Sequence, residues 1–486
     1  MRPNFNTHSN WPGEYMIEHK NIFVDGRWIP STGSAVLTVT NPVTEEPIAT
    51  VPRGTAEDVD RAAQAAARAF AGWSRSTVQQ RTDIFRKLAR LTEARAQEIT
   101  RTIVTEVGYP FAAAHRSQTI GAVEELDLIA ETLGEITWAE TMGTANVCRV
   151  PSGVVGAITA WNAPLRSIIS KAGAAIAAGC TVVLKPAEVA PLTAFLFAEL
   201  CAEAGLPPGV LNLVCGTGPE VGEAIAAHPL VDMVSLTGSV RAGQRVMEVG
   251  ALTIKRMHLE LGGKSANIIF ADVDLARAVN DGIEDAMRNT GQVCGGLTRM
   301  LVQRQRLNEA EDLAVRRARA YRLGDPFDTH TTLGPVVSGA ARERVRGYIR
   351  SGLEQGVRML TGGPEAPHGL ERGYFVQPTV FSGDNHSRIA REEIFGPVVV
   401  LMPFDDDADA VRIANDCAYG LAGAVWSSDA DHARAIARRL RTGRVRINGA
   451  PLDKRGTHGG FKLSGVGREW GRIGIEEFLE YHSVIG

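Results

Sequence analysis

The chain has 486 residues, of which 44% are hydrophobic and 22% charged, and this composition excludes a disordered or fibrous protein. At roughly 150 residues per domain, the length predicts about three domains with an ample buried core. The 52 basic and 55 acidic residues leave a formal net charge of −3, so no global field favours nucleic acid or an anionic membrane as a partner.

The cysteines and the start of the chain carry no metal or targeting signal. The six cysteines form no CxxC pair and have no nearby histidine at a ligand spacing, which argues against a disulfide scaffold and a zinc module. The polar stretch 1–20, with Trp11 and Tyr15 as its bulky residues, lacks the regions of a signal peptide, and no apolar run reaches ~18 residues. We therefore expect a cytoplasmic protein without a membrane span or a metal.

The first 130 residues predict a hairpin followed by helices. A turn signal at Asp25-Gly26 separates two apolar runs, which is typical of a hairpin. Thr55 is placed to cap an alanine-rich helix with acidic residues in its first turn. The helices are predicted over 55–73, 78–107 and 111–132.

From residue 150 onward, short apolar strands alternate with helices. Strands are predicted at 154–159, 181–184, 210–214, 233–236 and 257–261, with helices at 164–179, 191–204, 217–228 and 239–249 between them. This alternation predicts a parallel sheet covered on both faces, that is, a doubly wound α/β domain. A second α/β lobe is predicted from about residue 263, whereas the glycine-rich stretch 457–474 is expected to be too irregular for a core element.

Two glycine-containing turns lie where a strand passes into a helix. The turn Gly216–Gly222 has the spacing GxGxxxG, which differs from the usual dinucleotide fingerprint GxGxxG. The turn Thr237–Ser239 has the same setting. Each turn offers free N–H groups to a phosphate, and each is equally compatible with a plain tight turn.

Four polar residues are candidates for chemistry. Cys294 lies among glycines that leave its sulfur reachable, whereas the other five cysteines are expected to be small packing residues. Glu260 ends a strand between two leucines, where burial suits a general base, unless it faces the surface on an edge strand. Lys171 lies in an apolar helix and needs a partner. Asn162 is either an oxyanion donor or a helix N-cap.

Together these residues resemble the aldehyde dehydrogenase superfamily over nearly the whole chain. The resemblance rests on seven segments in the expected order: Gly156–Pro164, Lys185–Glu188, Gly216–Gly222, Leu236–Ser239, Leu259–Lys264, Gly291–Cys294 and Glu393–Pro397. It implies two doubly wound α/β domains and a small bridging segment used in oligomers. The implied boundaries are 1–130 with 151–260 for the coenzyme-binding domain, 261–465 for the catalytic domain, and 131–150 with 466–486 for the bridging segment.

The resemblance also implies a role for each candidate residue. Cys294 would be the nucleophile, Asn162 an oxyanion donor and Glu260 the base that activates water, while Lys171 and Glu469 would support proton movement. The cofactor would be NAD, with NADP as an alternative, because the carboxylate of Glu188 should repel a 2′-phosphate. The implied cofactor-binding residues are Trp161, Lys185, Glu188, Gly218, Gly222, Thr237, Ser239, Gly262, Glu393 and Phe395.

The substrate tunnel departs from the pattern of members that act on small aliphatic aldehydes. Ala163, Ser170 and His458 stand where those members often have larger aromatic residues. Arg166 follows on the helix, and Lys454 and Arg455 precede the glycine-rich stretch. We expect a wide, polar tunnel for a bulky, aromatic or polar aldehyde, or for a semialdehyde with an anionic tail; alternatively, the charges are solvated at the rim.

Three further alternatives concern function and assembly. An acylating enzyme that passes its product to coenzyme A usually lacks the glutamate base, which argues against that activity here. A non-catalytic nucleotide-binding homologue is disfavoured by the intact set of Cys294, Glu260 and Asn162. The resemblance implies a homodimer or homotetramer, without distinguishing between them.

Overall fold

The computed structural model describes residues 16–486, so most of the predicted polar start, including Trp11 and Tyr15, lies outside the described residues. The first part of the fold contains the strands β1 Ile17–Glu18, β2 Asn21–Val24, β3 Arg27–Pro30, β4 Val36–Thr40, β5 Pro47–Pro52, β6 Ala139–Met142 and β7 Ala145–Pro151. Its helices are α1 Ala56–Trp73, α2 Val78–Ala94, α3 Ala96–Val107, α4 Phe111–Ala114 and α5 Gly121–Thr132. A π-helical turn, His115–Ile120, joins α4 to α5.

The predicted elements of this part are confirmed with two interruptions. The hairpin forms around Asp25 and Gly26, and Thr55 caps α1 in a reciprocal capping box with Asp58. The predicted helix 78–107 is divided at Arg95, and the predicted helix 111–132 contains the π-helical turn. The interruptions leave both helical stretches in place.

The middle of the chain has the predicted alternation of strand and helix. The strands are β8 Val154–Ile158, β9 Thr181–Lys185, β10 Leu211–Leu213, β11 Met233–Thr237 and β12 Arg256–Glu260. The helices are α6 Pro164–Ile168, α7 Ala174–Ala178, α8 Leu192–Ala204, α9 Glu223–Ala227 and α10 Val240–Gly250, with π-helical turns at Ile169–Gly173 and Gly218–Gly222. All five strands run parallel, and their side chains are almost entirely buried because helices cover both faces.

The second lobe is also α/β. Its strands are β13 Ala266–Ile269, β14 Arg299–Gln303, β15 Arg358–Thr361, β16 Thr379–Ser382, β17 Val398–Phe404, β18 Tyr419–Gly420, β19 Ala422–Trp426 and β20 Arg444–Ile447. Its helices are α11 Leu275–Met287, α12 Leu307–Arg319, α13 Gly339–Glu354, α14 Arg388–Arg391, α15 Asp407–Asn415 and α16 Ala430–Arg439. Short 3₁₀ turns at Leu133–Glu135, Ala251–Thr253, Arg288–Gly291 and Arg304–Arg306 complete the helical structure.

Two large sheets organise the molecule. The first has the order β3-β2-β10-β9-β8-β11-β12 and a further strand beyond β12; the second has the order β15-β16-β17-β14-β13-β19-β20 and is parallel except for β15. In the first sheet the chain order reverses beside β8, since β9 and β10 lie on one side and β11 on the other. Such a switch point leaves a crevice at the carboxyl ends of the strands, which is where ligands bind in this architecture. The predicted pair of doubly wound α/β units is confirmed.

The end of the chain contains β21 Phe461–Lys462, β22 Gly465–Val466, α17 Gly471–Glu476 and β23 Leu479–Ile485. The expectation that 457–474 holds no core element was wrong. β22 extends the first sheet by pairing with β12, so that Gly465 lies opposite Glu260. A two-residue strand gives no periodic signal, and this one forms because Gly465, at φ +123°, approaches the carbonyl of Leu259. β23 pairs with β7, and β6 completes a separate three-stranded antiparallel sheet.

Gly465→Ala tests this close approach. The added Cβ would lie 1.9 Å from the carbonyl oxygen of Leu259, in addition to the strain of a positive φ. Gly205→Ala is the control, because Gly205 has φ +90° with no atom within 4 Å of the added Cβ. We expect Gly205→Ala to lower the free energy of unfolding by about 1 kcal/mol and Gly465→Ala by about 2 kcal/mol more, measured by urea denaturation. Equal losses would contradict this role of Gly465.

Candidate active site

The loop that carries Cys294 has a strained backbone. Asn289 and Thr290 have φ values of 49° and 56°, a conformation that costs a β-branched residue about 1–3 kcal/mol. Hydrogen bonds hold it: Thr290 donates to the carbonyl of Gly334 over 2.9 Å, and the Gln292 amide donates to the Asn289 carbonyl over 2.9 Å. The strained loop is thus held in one conformation, with Cys294 half-buried at its end.

Asn162 is bound to the same loop. Its amide Nδ2 donates to the carbonyl of Gln292 over 2.9 Å, and its own carbonyl accepts from Asn289 Nδ2 over 3.1 Å. The alternative role of Asn162 as a helix N-cap is excluded, because Ala163 is the N-cap residue of α6 and no side chain caps that helix. An amide NH₂ has two hydrogens, so one remains for a ligand beside Cys294.

Glu260 is buried next to Cys294 at the carboxyl end of β12. Its residue is 3% exposed, which excludes the surface alternative, and β22 covers the strand that carries it. A carboxylate oxygen of Glu260, the Cys294 sulfur and a ring nitrogen of His458 lie within 4.8 Å of one another. Neither Glu260 oxygen has a hydrogen bond of regular geometry among residues 16–486. Leaving a buried carboxylate in this condition costs free energy, which is typical of a functional group.

The thiol of Cys294 is electrostatically unfavourable to ionise. Burial raises its pKa, and the negative charge of Glu260 raises it further, while the Arg444 guanidinium opposes the shift. Cys294 is therefore a neutral thiol near pH 7, and its conversion to a nucleophile needs a base. The other cysteines are also free; Cys180, Cys201, Cys215 and Cys417 are buried as expected, whereas Cys148 is half-buried.

Lys171 finds its partner in Glu469. The two form a buried ion pair with 2.8 Å between Nζ and Oε1, and the π-helical turn Ile169–Gly173 carries the lysine. Burial alone would raise the pKa of Glu469, but Lys171 and His258 lower it to about 2. Lys171 Nζ also donates to Ser235 Oγ over 3.4 Å, and that hydroxyl lies 2.7 Å from His258 Nδ1.

Sequence analysis missed Ser235 and His258, although a signal was present. The two residues are buried polar side chains in apolar strands, and they lie opposite each other in β11 and β12. Burial lowers the pKa of His258 to about 3, and the charge of Lys171 contributes, so its ring is neutral. The network around Lys171 therefore holds one cation and one anion.

Four predicted cofactor residues meet at the carboxyl end of β9. Glu188 Oε1 accepts from the Gly218 N–H over 2.6 Å and lies 3.3 Å from Lys185 Nζ. Gly222 lies against the same lysine, because a Cβ added there would be 3.8 Å from Lys185 Cδ. Burial lowers the pKa of Lys185, although Glu188 opposes the shift.

The two glycine turns differ in the N–H groups they offer. In the first turn, Thr217 caps Gly218–Gly222 by accepting from Glu220, and the Gly218 N–H is used by Glu188. In the second turn, Thr237 ends β11 and Ser239 caps the eleven-residue helix α10 through the Ala242 N–H. A Cβ on Gly238 would lie 3.6 Å from its nearest neighbour, which is ordinary van der Waals contact. The first turn has one N–H already bound by Glu188, and both turns are candidates for a phosphate.

Glu393 lies on the backbone of the Gly262–Gly263 turn. Its Oε1 accepts from the Gly263 N–H over 3.1 Å, and a Cβ on Gly262 would lie 2.2 Å from its Oε2, so a side chain at residue 262 would displace the Glu393 carboxylate. Burial raises the pKa of Glu393 to about 7. Phe395, at φ 56°, meets the Trp161 ring edge-on with 5.5 Å between centroids. These residues surround the crevice at the end of β8 and β12, and they fit a dinucleotide.

The predicted tunnel residues do not share one cavity. Ser170 lines a small cavity with Glu125, Lys454 and Trp470, whereas Ala163, Arg166 and His458 are not among its lining residues. The expectation of solvated rim charges was wrong for Arg166 and Lys454, because each lies 3.5 Å from the same buried Glu125 oxygen. Glu125, on α5, is a partner that sequence analysis missed.

Arg455 does behave as a surface charge. Its side chain is 55% exposed and forms ion pairs with Glu131 and Glu135, at 2.6 Å and 3.3 Å. Arg455 therefore contributes no free charge to the cavity beside Ser170.

His458 is buried against the base rather than beside the Ser170 cavity. Its Nε2 lies 2.9 Å from Glu260 Oε1, its Nδ1 lies 2.9 Å from the Arg444 guanidinium, and its ring stacks on Trp470 with 4.7 Å between centroids. Sequence analysis named neither Arg444 nor Trp470.

A cysteine, a histidine and a carboxylate this close together form a set that zinc accepts. However, Arg444 has only donors to offer Nδ1, which places the ring hydrogen on Nε2, the nitrogen that a metal would need. The arrangement favours a base beside a nucleophile over a metal centre. Among residues 16–486, no helix has the length and apolar character needed to cross a membrane.

The fold and the site define an oxidoreductase that binds a dinucleotide at a switch point and works through a cysteine adduct. The profile of the Aldehyde dehydrogenase family matches residues 28–484, and the chain belongs to this family. The predicted membership is confirmed, and the chain is an NAD(P)-dependent aldehyde dehydrogenase.

Several characterised or solved proteins are similar to the chain. A 3-succinoylsemialdehyde-pyridine dehydrogenase of a Pseudomonas species is 47% identical over 473 residues, which cover 97% of this chain and 99% of the relative. A variant of aldehyde dehydrogenase C from Pseudomonas syringae, in complex with NAD+ and octanal, superposes with a TM-score of 0.95 at 44% identity and covers 99% of both chains. A Mycobacterium tuberculosis aldehyde dehydrogenase complexed with NAD+ gives 0.94 at 40% identity, over 97% of this chain and 99% of that one.

The buried pair of Lys171 and Glu469 gives a stability prediction. Lys171→Met leaves Glu469 buried and unpaired, so we expect a loss of about 3 kcal/mol in the free energy of unfolding. Adding Glu469→Gln to Lys171→Met should restore most of the lost free energy of unfolding. The control is Lys20→Met, which removes an exposed ion pair with Glu18 and should cost less than about 0.5 kcal/mol.

The same pair sets a pH dependence. Because the pKa of Glu469 in the fold is about 2, below its ordinary 4.5, the stabilisation is present above about pH 4.5 and is lost as the pH falls toward 2. Between about pH 6 and about pH 3, the free energy of unfolding measured with urea should therefore fall less for Glu469→Gln than for the wild type. The pairing would be contradicted if Glu469→Gln lost as much stability on acidification as the wild type. It would also be contradicted if adding Glu469→Gln to Lys171→Met restored no stability.

Proposed function

We propose that the chain oxidises an aldehyde to the carboxylic acid, with Cys294 as nucleophile, Asn162 as oxyanion donor and Glu260 as base. The observation that carries the proposal is the juxtaposition of the Cys294 thiol with a buried Glu260 carboxylate that lacks a regular hydrogen bond. The raised pKa of the thiol means that a base must remove its proton, and Glu260 is the carboxylate in reach.

The proposed reaction follows from these positions. Cys294 attacks the aldehyde carbon to form a thiohemiacetal, and the thiol proton passes to Glu260. The free amide hydrogen of Asn162 and the Cys294 N–H stabilise the oxyanion, an effect worth about 3–4 kcal/mol per donor. Bound NAD supplies the acceptor for the hydride that leaves the carbon. Glu260 first passes the thiol proton to solvent and then removes a proton from water, which attacks the thioester. The C–S bond breaks, the acid is released, and Glu260 returns a proton to the Cys294 sulfur.

The cofactor is proposed to be NAD, with NADP as the weaker alternative. Lys185 and Glu188 would hold the adenosine ribose, and the turn with Thr237 and Ser239 would face the pyrophosphate. Because Glu188 is already held by the Gly218 N–H and Lys185, its charge is fixed where a 2′-phosphate would lie. Titration of the protein with NAD and, separately, with NADP measures this preference.

The remaining cofactor residues belong to the nicotinamide end of the proposed site. Glu393 would bind the ribose beside Gly262, and Trp161 and Phe395 would border the ring. Gly218 and Gly222 would let the backbone pass close to the adenosine end. Lys171 and Glu469 would support proton movement behind Glu260.

The substrate is proposed to be a bulky aldehyde. The small side chains of Ala163 and Ser170 support this size class, and Ser170 lines a cavity. The relatives named for a pyridine semialdehyde and crystallised with octanal agree with it. A semialdehyde with an anionic tail is the second candidate, because Arg166 and Lys454 place two cations against the one carboxylate of Glu125.

The proposed assembly is a homodimer or homotetramer in which the sheet of β6, β7 and β23 takes part. Tyr481, Val484 and Ile485 of β23 and Met142 of β6 are large apolar residues more than half exposed. The proposed coenzyme-binding domain comprises 1–130 and 151–260, and the proposed catalytic domain comprises 261–465. The proposed bridging segment, which contains this exposed apolar surface, comprises 131–150 and 466–486. The six free cysteines support a cytoplasmic location.

The nucleophile is tested by Cys294→Ala. We expect no NADH formation and unchanged NAD binding by calorimetry, because Cys294 is not among the residues that face the cofactor's adenosine half. Cys148→Ala, at a half-buried cysteine outside the site, is the control and should keep full activity. Turnover by Cys294→Ala would refute the assignment.

The substrate class is tested by filling the cavity. Ser170→Trp should lower kcat/KM for octanal and benzaldehyde by about tenfold or more and leave acetaldehyde nearly unchanged, because only large substrates need the added space. Ser170→Ala keeps the space and should behave as the wild type. Faster wild-type turnover of acetaldehyde than of octanal, benzaldehyde and succinic semialdehyde would contradict the proposal of a bulky substrate.

A further inference from the structure

His458 connects the proposed base to a second set of buried residues. Its ring is 5% exposed and lies between Glu260, the Arg444 guanidinium and the face of Trp470. Arg444 is itself held over the Trp470 ring, with 5.1 Å to the centroid. The ring of His458 is therefore fixed on three sides.

The contact with Arg444 decides which ring nitrogen carries the hydrogen. A guanidinium has donors and no acceptor, so the Nδ1 that lies 2.9 Å from Arg444 must accept. The hydrogen of the neutral ring is then on Nε2, the nitrogen 2.9 Å from Glu260 Oε1. The contact is short but bent, since its distance of 2.9 Å is not accompanied by the geometry of a regular hydrogen bond.

We propose that His458 is a positioning residue for Glu260, held by Arg444 in the tautomer that donates from Nε2 to the carboxylate. The proposal rests on the assignment of Glu260 as the base that activates water. Because donation to the ionised carboxylate stabilises that form, His458 keeps Glu260 ready to accept a proton and aimed at Cys294. With Nδ1 occupied by Arg444, the ring meets Glu260 as a donor.

Other charged groups surround this pair and are part of its environment. Cys294 and Glu393 face Glu260, and Glu469 and His258 lie near His458 on the side of Lys171. Glu469 is neutralised by Lys171, and the His258 ring is uncharged, so Arg444 is the cation nearest to the pair. The effect assigned to His458 is therefore separable from that of its neighbours.

Two substitutions separate donation from simple filling of space. His458→Phe keeps an aromatic ring against Trp470 but has no donor for Glu260 and no acceptor for Arg444. His458→Gln loses the ring but has an amide NH₂ to donate and an amide oxygen to accept. A positioning role predicts rescue by Gln, whereas a packing role predicts rescue by Phe.

The experiment is stopped-flow and steady-state NADH formation with octanal and NAD over about pH 5.5 to 9. For His458→Phe we expect an NADH burst of wild-type amplitude, a steady-state rate lowered about tenfold, and an acidic limb displaced to higher pH, because the unsupported carboxylate protonates more readily. His458→Gln should retain the wild-type limb and at least about a third of the rate. Loss of activity in Gln with full activity in Phe would overturn the proposal, as would an unshifted limb in Phe.

Glu260→Gln in the same assay separates the proposed role of Glu260 as base from the proposed role of His458 as its positioning residue. If it forms at most one NADH per chain, without steady turnover, Glu260 is required as the base, and the His458 variants then test positioning alone. If it turns over at the wild-type rate, the proposed function of Glu260 fails independently of His458. Circular dichroism and NAD binding by each variant show that the fold is intact.

Discussion

The arrangement of the active site depends on one buried charge, the carboxylate of Glu260. It ends β12, is 3% exposed and has no regular hydrogen bond within the described chain. Burial of such a group is unfavourable, so the rest of the fold must hold it in place. β22 closes the sheet edge beside it, His458 contacts it, and the strained loop with Asn289 and Thr290 brings Cys294 within reach. The same proximity raises the pKa of the Cys294 thiol, which links the nucleophile to its base.

The alternating strands and helices were predictable because β8–β12 are buried on both faces and appear as continuous apolar runs. The sequence also identified Cys294 among its glycines and the buried position of Glu260. Three features gave no readable signal. The two residues of β22 are too few for a period, π-helical turns share the composition of α-helices, and the neighbours of Glu125 come from distant parts of the chain. The family resemblance named Lys171 and Glu469 as residues that support proton movement but did not predict their ion pair, since contacts 298 residues apart have no local signature.

His458 illustrates how a residue changes meaning between sequence and structure. Its position before Gly459 and Gly460 suggested a tunnel wall made more polar by a histidine. In the fold the same side chain faces Glu260 on one nitrogen and Arg444 on the other, while Trp470 separates it from the cavity beside Ser170. The polarity of His458 is therefore directed at the proposed base, and Ser170 rather than His458 lines the cavity. Specificity and water activation would then be set by different residues, which allows each to vary alone.

The most direct test of the central claim is to trap the acyl adduct. Glu260→Gln, incubated with NAD and octanal and then quenched in acid, should gain the mass of one octanoyl group per chain. Over a long incubation, peptide mapping should locate this mass on Cys294, because loss of Glu260 slows activation of the thiol, whereas the thioester, once formed, has no base to hydrolyse it. No adduct, or an adduct on another of the six cysteines, would contradict the account.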